Sequence, residues 1–164
     1  MGSLIGTGIT NMETEVDGVT TWLLPLDQAV NVAVGEYEFV HIVDQPEYIS
    51  IPRTPEYCKH VILWNENIVP VINLSSWFYG HEQSEDAGVV AILIYNNSEG
   101  ELLYGGIKLI NIPVLDKVKN DQGCSLPGNA DKWKEISLSC FKSCNGEVVP
   151  ILDVAALFLH GAES

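Results

Sequence analysis

The sequence predicts a mainly β protein made of two small, largely closed β-barrels with a few short helices. Three observations carry this prediction. One phrase occurs twice: NENIVPVINLSSWF over Asn65–Phe78 returns as NGEVVPILDVAALF over Asn145–Phe158, with Pro70 and Pro150 at the same place. A period of about 80 residues is too long for a solenoid repeat and marks two similar modules in one chain. The apolar segments are short and strand-like, without a strand–helix–strand rhythm. With so little helix available to cover strand edges, closure of each sheet on itself is what would protect them.

The repeated phrase has a physical grammar. Asn65, Glu66 and Asn67 in one copy, and Asn145 and Gly146 in the other, are turn chemistry, because Asn and Gly tolerate the positive φ of a tight hairpin. A strand follows each turn and carries a proline in its middle. Proline cannot donate to a ladder, so each strand is expected at an edge or at a bulge. Asn73 and Asp153 then stand where an N-cap would start a short helical turn ending in Phe78 or Phe158.

In chain order, residues 1–19 are polar and broken by Gly2, Gly6, Gly8 and Gly18, which predicts a loose tail or a poorly defined first strand. Trp22–Leu24 reads as a strand. Pro25–Val32 reads as a short helix, with Pro25 and Asp27 in its first turn. Tyr37–Val43 alternates as a strand closed by Asp44, Gln45 and Pro46, and Pro52 and Pro55 stiffen the connection to Val61–Trp64, the first arm of the repeated hairpin. Gly80–Gly88 reads as a polar linker between modules, and Val89–Tyr95 as a continuous apolar strand. After a turn over Asn96–Gly100 the chain returns through Glu101–Tyr104. Gly105 and Gly106 permit a bulge or a close backbone approach, and Ile107–Leu115 continues extended. Asp116–Lys134 reads as loop, and Ile136, Leu138 and Cys140 alternate into the second hairpin.

The 164 residues carry a formal net charge of -14, unevenly spread: eight acids precede Arg53, the first basic residue, while six of the eight basic residues lie between Lys108 and Lys142. This asymmetry repels nucleic acid and anionic lipid; it fits either a basic protein partner or plain solvated surface. No apolar run approaches the ~18 residues of a membrane span. The N-terminus has no signal-peptide pattern, and Gly6 stands where a myristoylation motif wants Ser or Thr. A cytoplasmic location is the expectation, and with it reduced thiols at Cys58, Cys124, Cys140 and Cys144. The N-x-S matches at Asn73 and Asn96 are discarded on the same ground.

A search for chemistry finds little. Cys58 and His60, two apart, could share a face and make a thiolate–imidazole pair, but nothing specifies an orienting third group. Cys140 and Cys144 flank a turn without the second knuckle of a zinc site. Gly105 and Gly106 lack the spaced glycines and following helix of a phosphate loop. Glu36 and Glu38 share a strand face, as acids in an acidic chain often do by chance. Trp22, Trp64, Trp77 and Trp133 read as packing before they read as a sugar or peptide platform. No metal and no cofactor is expected.

Three segments carry a family resemblance. Trp22–Val32 (WLLPLDQAVNV) resembles the strand-then-helix opening of the CheW-like domain. Ile51–Ile62 (IPRTPEYCKHVI) followed by Ile68–Leu74 (IVPVINL) resembles its central signature, and Glu147–Val154 (EVVPILDV) its closing strand. The resemblance runs from about Thr20 to His160 and implies a pair of five-stranded, SH3-like barrels. It also implies an adaptor without catalytic activity or cofactor, which links chemoreceptor tips to a CheA-like histidine kinase whose regulatory domain shares the fold. Members of this family also serve systems that control type IV pili and twitching motility.

Departures from the family pattern sharpen the expectation. Asn31 takes the place of a common Glu in the opening helix, and Trp64, Asn65 and Glu66 that of Leu-Arg-Gly in the first hairpin, so two neutral amides replace a possible ion pair. His60 replaces a glycine and Asn73 an aspartate, Glu36–Val43 is extra length, and no clear apolar strand precedes Thr20. The sequence reading is therefore one CheW-like domain over 20–160, with barrels at about 20–80 and 88–160, acting as a monomer or weak homo-oligomer. A receptor-like partner is expected in a groove lined by Asn31, Val32, Trp64 and Asn65. The kinase regulatory domain is expected on the second barrel's edge near Gly105, Gly106 and Ile107. The other classes that remain open are a small-ligand barrel and a Cys58-dependent enzyme.

Overall fold

Among the described residues, short apolar segments form eleven strands and three short helices. The computed structural model describes residues 18–28, 30–79, 88–119, 122–124, 130–143 and 146–163. Nearly all of the expected tail and of the expected linker lies outside these residues. The strands are β1 Val19–Pro25, β2 Asn31–Gly35, β3 Phe39–Val43, β4 Ile49–Ser50, β5 His60–Trp64, β6 Asn67–Ile72, β7 Val89–Asn96, β8 Leu102–Leu109, β9 Val114–Val118, β10 Ser137–Lys142 and β11 Val148–Leu152. The helices are α1 Leu74–Tyr79, α2 Ala130–Ile136 and α3 Val154–Glu163, and a 3-10 turn covers Glu56–Cys58. The protein is mainly β, as expected. Strand β9 and helix α2 occupy parts of the stretch read as loop.

The strands form a five-stranded sheet, β10-β11-β2-β1-β9, and a six-stranded sheet, β3-β7-β8-β6-β5-β4. Neither sheet is one half of the sequence. The hairpin β1–β2 joins the five-stranded sheet with β9, β10 and β11 of the second half, while β7–β8 joins the six-stranded sheet with β3 to β6 of the first. The two halves have exchanged their opening hairpins, so the expected barrels at 20–80 and 88–160 are corrected to two sheets that each draw on both. The sheets remain equivalent: β10-β11-β2-β1-β9 matches β5-β6-β8-β7-β3 strand for strand.

Both prolines sit where this equivalence predicts. Pro70 pairs with Val61 across the antiparallel hairpin, and the parallel partner β8 begins only at Val71. Pro150 pairs with Cys140, and the parallel contact to β2 begins at Ile151. A missing N–H is tolerated because the ladder on that side has not yet started.

The expected helix at Pro25–Val32 does not form. Strand β1 runs through Pro25, which pairs with Asn31, and the carboxylate of Asp27 accepts the Val30 N–H at 2.9 Å to close a turn. Val32, Ala33 and Val34 are all buried, as befits a strand covered on both faces, with β1 and β11 beside it. Three clusters result. Ile62, Val69, Val71, Val90 and Ile92 form a cluster on the six-stranded sheet, and Ala33, Phe141 and Val149 one on the five-stranded sheet. The largest cluster lies between the sheets, where Leu24, Val32, Val34, Leu93 and Ile107 meet Trp133 and Ile136 of α2 and Leu157 and Phe158 of α3.

Candidate partner-binding surface

The first repeated hairpin turns on Asn65 and Glu66, both in the left-handed region at φ 50 and 66. Two successive residues of this kind make the tight turn whose twist matches the flanking strands. Asn67 braces it, its Nδ2 donating to the Asn65 carbonyl at 2.9 Å. Behind the turn the half-buried Trp64 ring meets Tyr104 edge-on at 5.2 Å and stacks on His41 at 5.7 Å.

Four residues were expected in one groove. The structure puts Asn31 and Val32 in the five-stranded sheet, and Trp64 and Asn65 at the hairpin tip of the six-stranded one. Val32 is fully buried between the sheets, and Asn31 Nδ2 donates to Glu147 Oε2 at 3.4 Å. The side chain that stacks on the Trp64 ring is His41 of β3. His41 is the one polar residue of Phe39–Val43 (FVHIV), and the segment does not alternate in a way that singles it out.

Gly105, Gly106 and Ile107 lie in β8, with β7 on one side and β6 on the other, and all three are buried. They occupy the interior of the sheet, not its edge. The β7–β8 register runs unshifted from Val89↔Leu109 to Asn96↔Leu102, so the glycines make no bulge. They allow close approach: a Cβ on Gly105 would overlap the Phe158 ring, and one on Gly106 would press on Val90 and Val71. The Phe158 ring that rests there stacks on Tyr95 at 5.2 Å.

A bare apolar face lies on the outer side of the same hairpin. Cross-strand partners point to one side, so Ile49, Val61 and Pro70 form one row and Leu63 with Ile68 the next. Leu63 is 66% exposed and Ile68 70%. In the second copy the row of Val61 and Pro70 is taken by Cys140 and Pro150, both buried. At the edge of the bare face Val43, Gln45, Glu47 and Ile49 line a cleft of about 280 Å³ together with Ile62 and Leu63.

The other chemical candidates are absorbed by packing. Burial pushes the Cys58 thiol up, away from a reactive thiolate, and Cys58 packs against the inter-sheet cluster while the His60 ring meets Tyr48 at 5.0 Å. Trp22 and Trp77 pack on the inter-sheet cluster, and Trp133 is buried in it. Cys144 lies outside the described residues. Among the described residues no helix is long and apolar enough to cross a membrane.

A model of the CheW-like domain matches residues 37–162. Among solved structures, the chain is similar to the scaffolding protein TtCheW from Thermoanaerobacter tengcongensis, with 16% sequence identity and a TM-score of 0.65. That match covers 86% of this chain and 92% of the other. No functionally curated protein matches the sequence.

Proposed function

The chain belongs to the CheW-like domain family, and from that membership we propose that it is a non-enzymatic adaptor, coupling a chemoreceptor-like protein to the regulatory domain of a histidine kinase. The observation that carries the reading is the bare apolar face of β4, β5 and β6. Exposed isoleucine and leucine in adjoining rows are poor solvent-facing residues and good docking residues, because burying them removes apolar area from water. We assign the kinase partner to this face. The receptor-like partner takes the hairpin tip, where Trp64, Asn65 and His41 offer an aromatic and amide surface in place of the family's charged pair. A tip without the family's arginine fits a branch that has changed receptors, such as one serving type IV pili.

Calorimetric titration of the purified chain with the regulatory domain of the histidine kinase encoded nearest to it, at two salt concentrations, tests the reading. Saturable one-to-one binding in the micromolar range supports it, and the salt dependence measures the part played by the acidic surface. Leu63→Glu and Ile68→Arg alter exposed side chains and should leave the fold intact while weakening binding by at least about tenfold. Absence of binding at both salts would sink the adaptor reading, and undiminished binding by both variants would sink the assignment of the face.

A further inference from the structure

The two copies of the repeat differ at one contact. Where the first copy pairs Ile49 of the short edge strand with Val61, the second pairs Cys124 with Cys140. Gly123 bridges Phe141 in antiparallel fashion, so Cys124 and Cys140 stand opposite each other, and the Cys124 N–H donates to the Cys140 carbonyl at 3.4 Å. The Cys140 thiol donates to the Cys124 carbonyl at 2.9 Å, and the two sulfurs are 3.3 Å apart. Directly opposed residues of an antiparallel pair have Cα atoms about 4.5–5.5 Å apart, inside the range of about 4.4–6.8 Å that a disulfide spans. The pairing thus places the two cysteines at a separation that a disulfide spans.

We propose that Cys124 and Cys140 are a reversible oxidation site, converted to a disulfide by hydrogen peroxide. Exposure sets the order of events. Cys140 is 3% exposed and Cys124 partly exposed, so the oxidant meets Cys124 first. The Cys124 sulfur attacks one peroxide oxygen, the O–O bond breaks, and a water leaves as Cys124 becomes a sulfenic acid. The Cys140 sulfur then attacks the Cys124 sulfur, the S–OH bond breaks, and the departing hydroxide takes the Cys140 proton as a second water. In sum two thiols lose two protons and two electrons, and hydrogen peroxide is reduced to two waters. Before this, burial and the neighbouring Cys124 hold the Cys140 thiol up at about 11, so it waits protonated and is not itself the first target.

The bond would close the segment from Cys124 to Cys140, which contains α2. Trp133 and Ile136 of that helix are buried between the sheets, and just outside the two cysteines the Gln122 side chain already donates to the Lys142 carbonyl at 2.9 Å. Oxidation therefore fastens the connection into β10 at a second point.

The test treats the full chain with hydrogen peroxide, alkylates remaining thiols and maps the peptides without reduction. The expected product is lighter by about 2 Da and carries a Cys124–Cys140 link that dithiothreitol reverses. Cys124→Ser and Cys140→Ser should each abolish the link, with Cys140→Ser leaving Cys124 to over-oxidise, while Cys58→Ser and Cys144→Ser keep it. Oxidised protein should also show slower amide exchange at 122–124. A link from Cys124 to Cys144 or Cys58, or sulfinic acid at Cys124 of the unaltered chain without any link, overturns the proposal.

Discussion

At Gly105 the requirement is for empty space: a Cβ there would meet the Phe158 ring, which is itself held by Tyr95 and the inter-sheet cluster. Gly105→Ala should lower stability by about 1–3 kcal/mol in urea unfolding, the cost of overpacking a well-filled core. Gly105→Ala combined with Phe158→Leu should recover much of that loss, and a double variant no better than the single would show that the backbone, not the ring, sets the requirement. Glu38 poses an electrostatic question. Burial raises its carboxyl above the usual carboxylate range, the Gly35 N–H it accepts at 2.7 Å lowers it, and the charge of Asp153 raises it further. The folded chain thus holds this proton more tightly than the unfolded chain, so the contribution to stability is complete below the ordinary carboxylate pKa and is lost as pH rises through the folded value. Glu38→Gln retains an acceptor for Gly35 and removes that loss. Its melting temperature relative to the unaltered protein should climb as pH rises through the raised carboxyl value toward 7 and level off at about pH 4 and below. A difference of opposite slope would mean that the carboxylate is stabilising where it sits.

The elements whose beginnings and ends depend on local chemistry were legible. Asn73 and Asp153 cap α1 and α3 alike, each side-chain oxygen accepting the N–H three residues on at 3.1 Å. Asn73→Ala and Asp153→Ala should each cost about 1 kcal/mol of stability, measured by chemical denaturation. Asp153→Asn keeps the cap while removing the charge beside Glu38, so it should cost less than Asp153→Ala. The tight turn at Asn65 and Glu66 and the prolines of β6 and β11 were readable for the same reason: backbone sterics act within a few residues. Asp27 was misread because an aspartate after a proline suits a helix start and an Asx-type turn equally. Pairing of β2 with β1 and β11 decided for the turn, and Ser75 Oγ donating to Asp27 at 3.1 Å adds a second tie. Asn31 moved with that choice, and so did the expected groove.

For the molecule as a whole, exchanged hairpins bind the two halves into one unit. Neither half keeps a complete sheet when separated: 18–79 lacks β7 and β8, and 88–164 lacks β1 and β2. Each fragment alone should therefore give the circular dichroism of an unfolded chain, and mixing the two should restore strand signal as the sheets complete each other. A fragment that folds by itself would show that the inter-sheet cluster is dispensable. By itself the sequence determined the mainly β class, the duplicated turn, strand and cap, and the CheW-like family, because these rest on patterns within short stretches. Only the tertiary structure decided which strands pair, that β8 lies in the sheet interior with Gly105–Ile107 buried, that His41 rather than Asn31 faces Trp64, and that one repeat leaves its outer face bare. Pairing partners lie tens of residues apart, and hydrophobic alternation says which face of a strand is buried without saying against what.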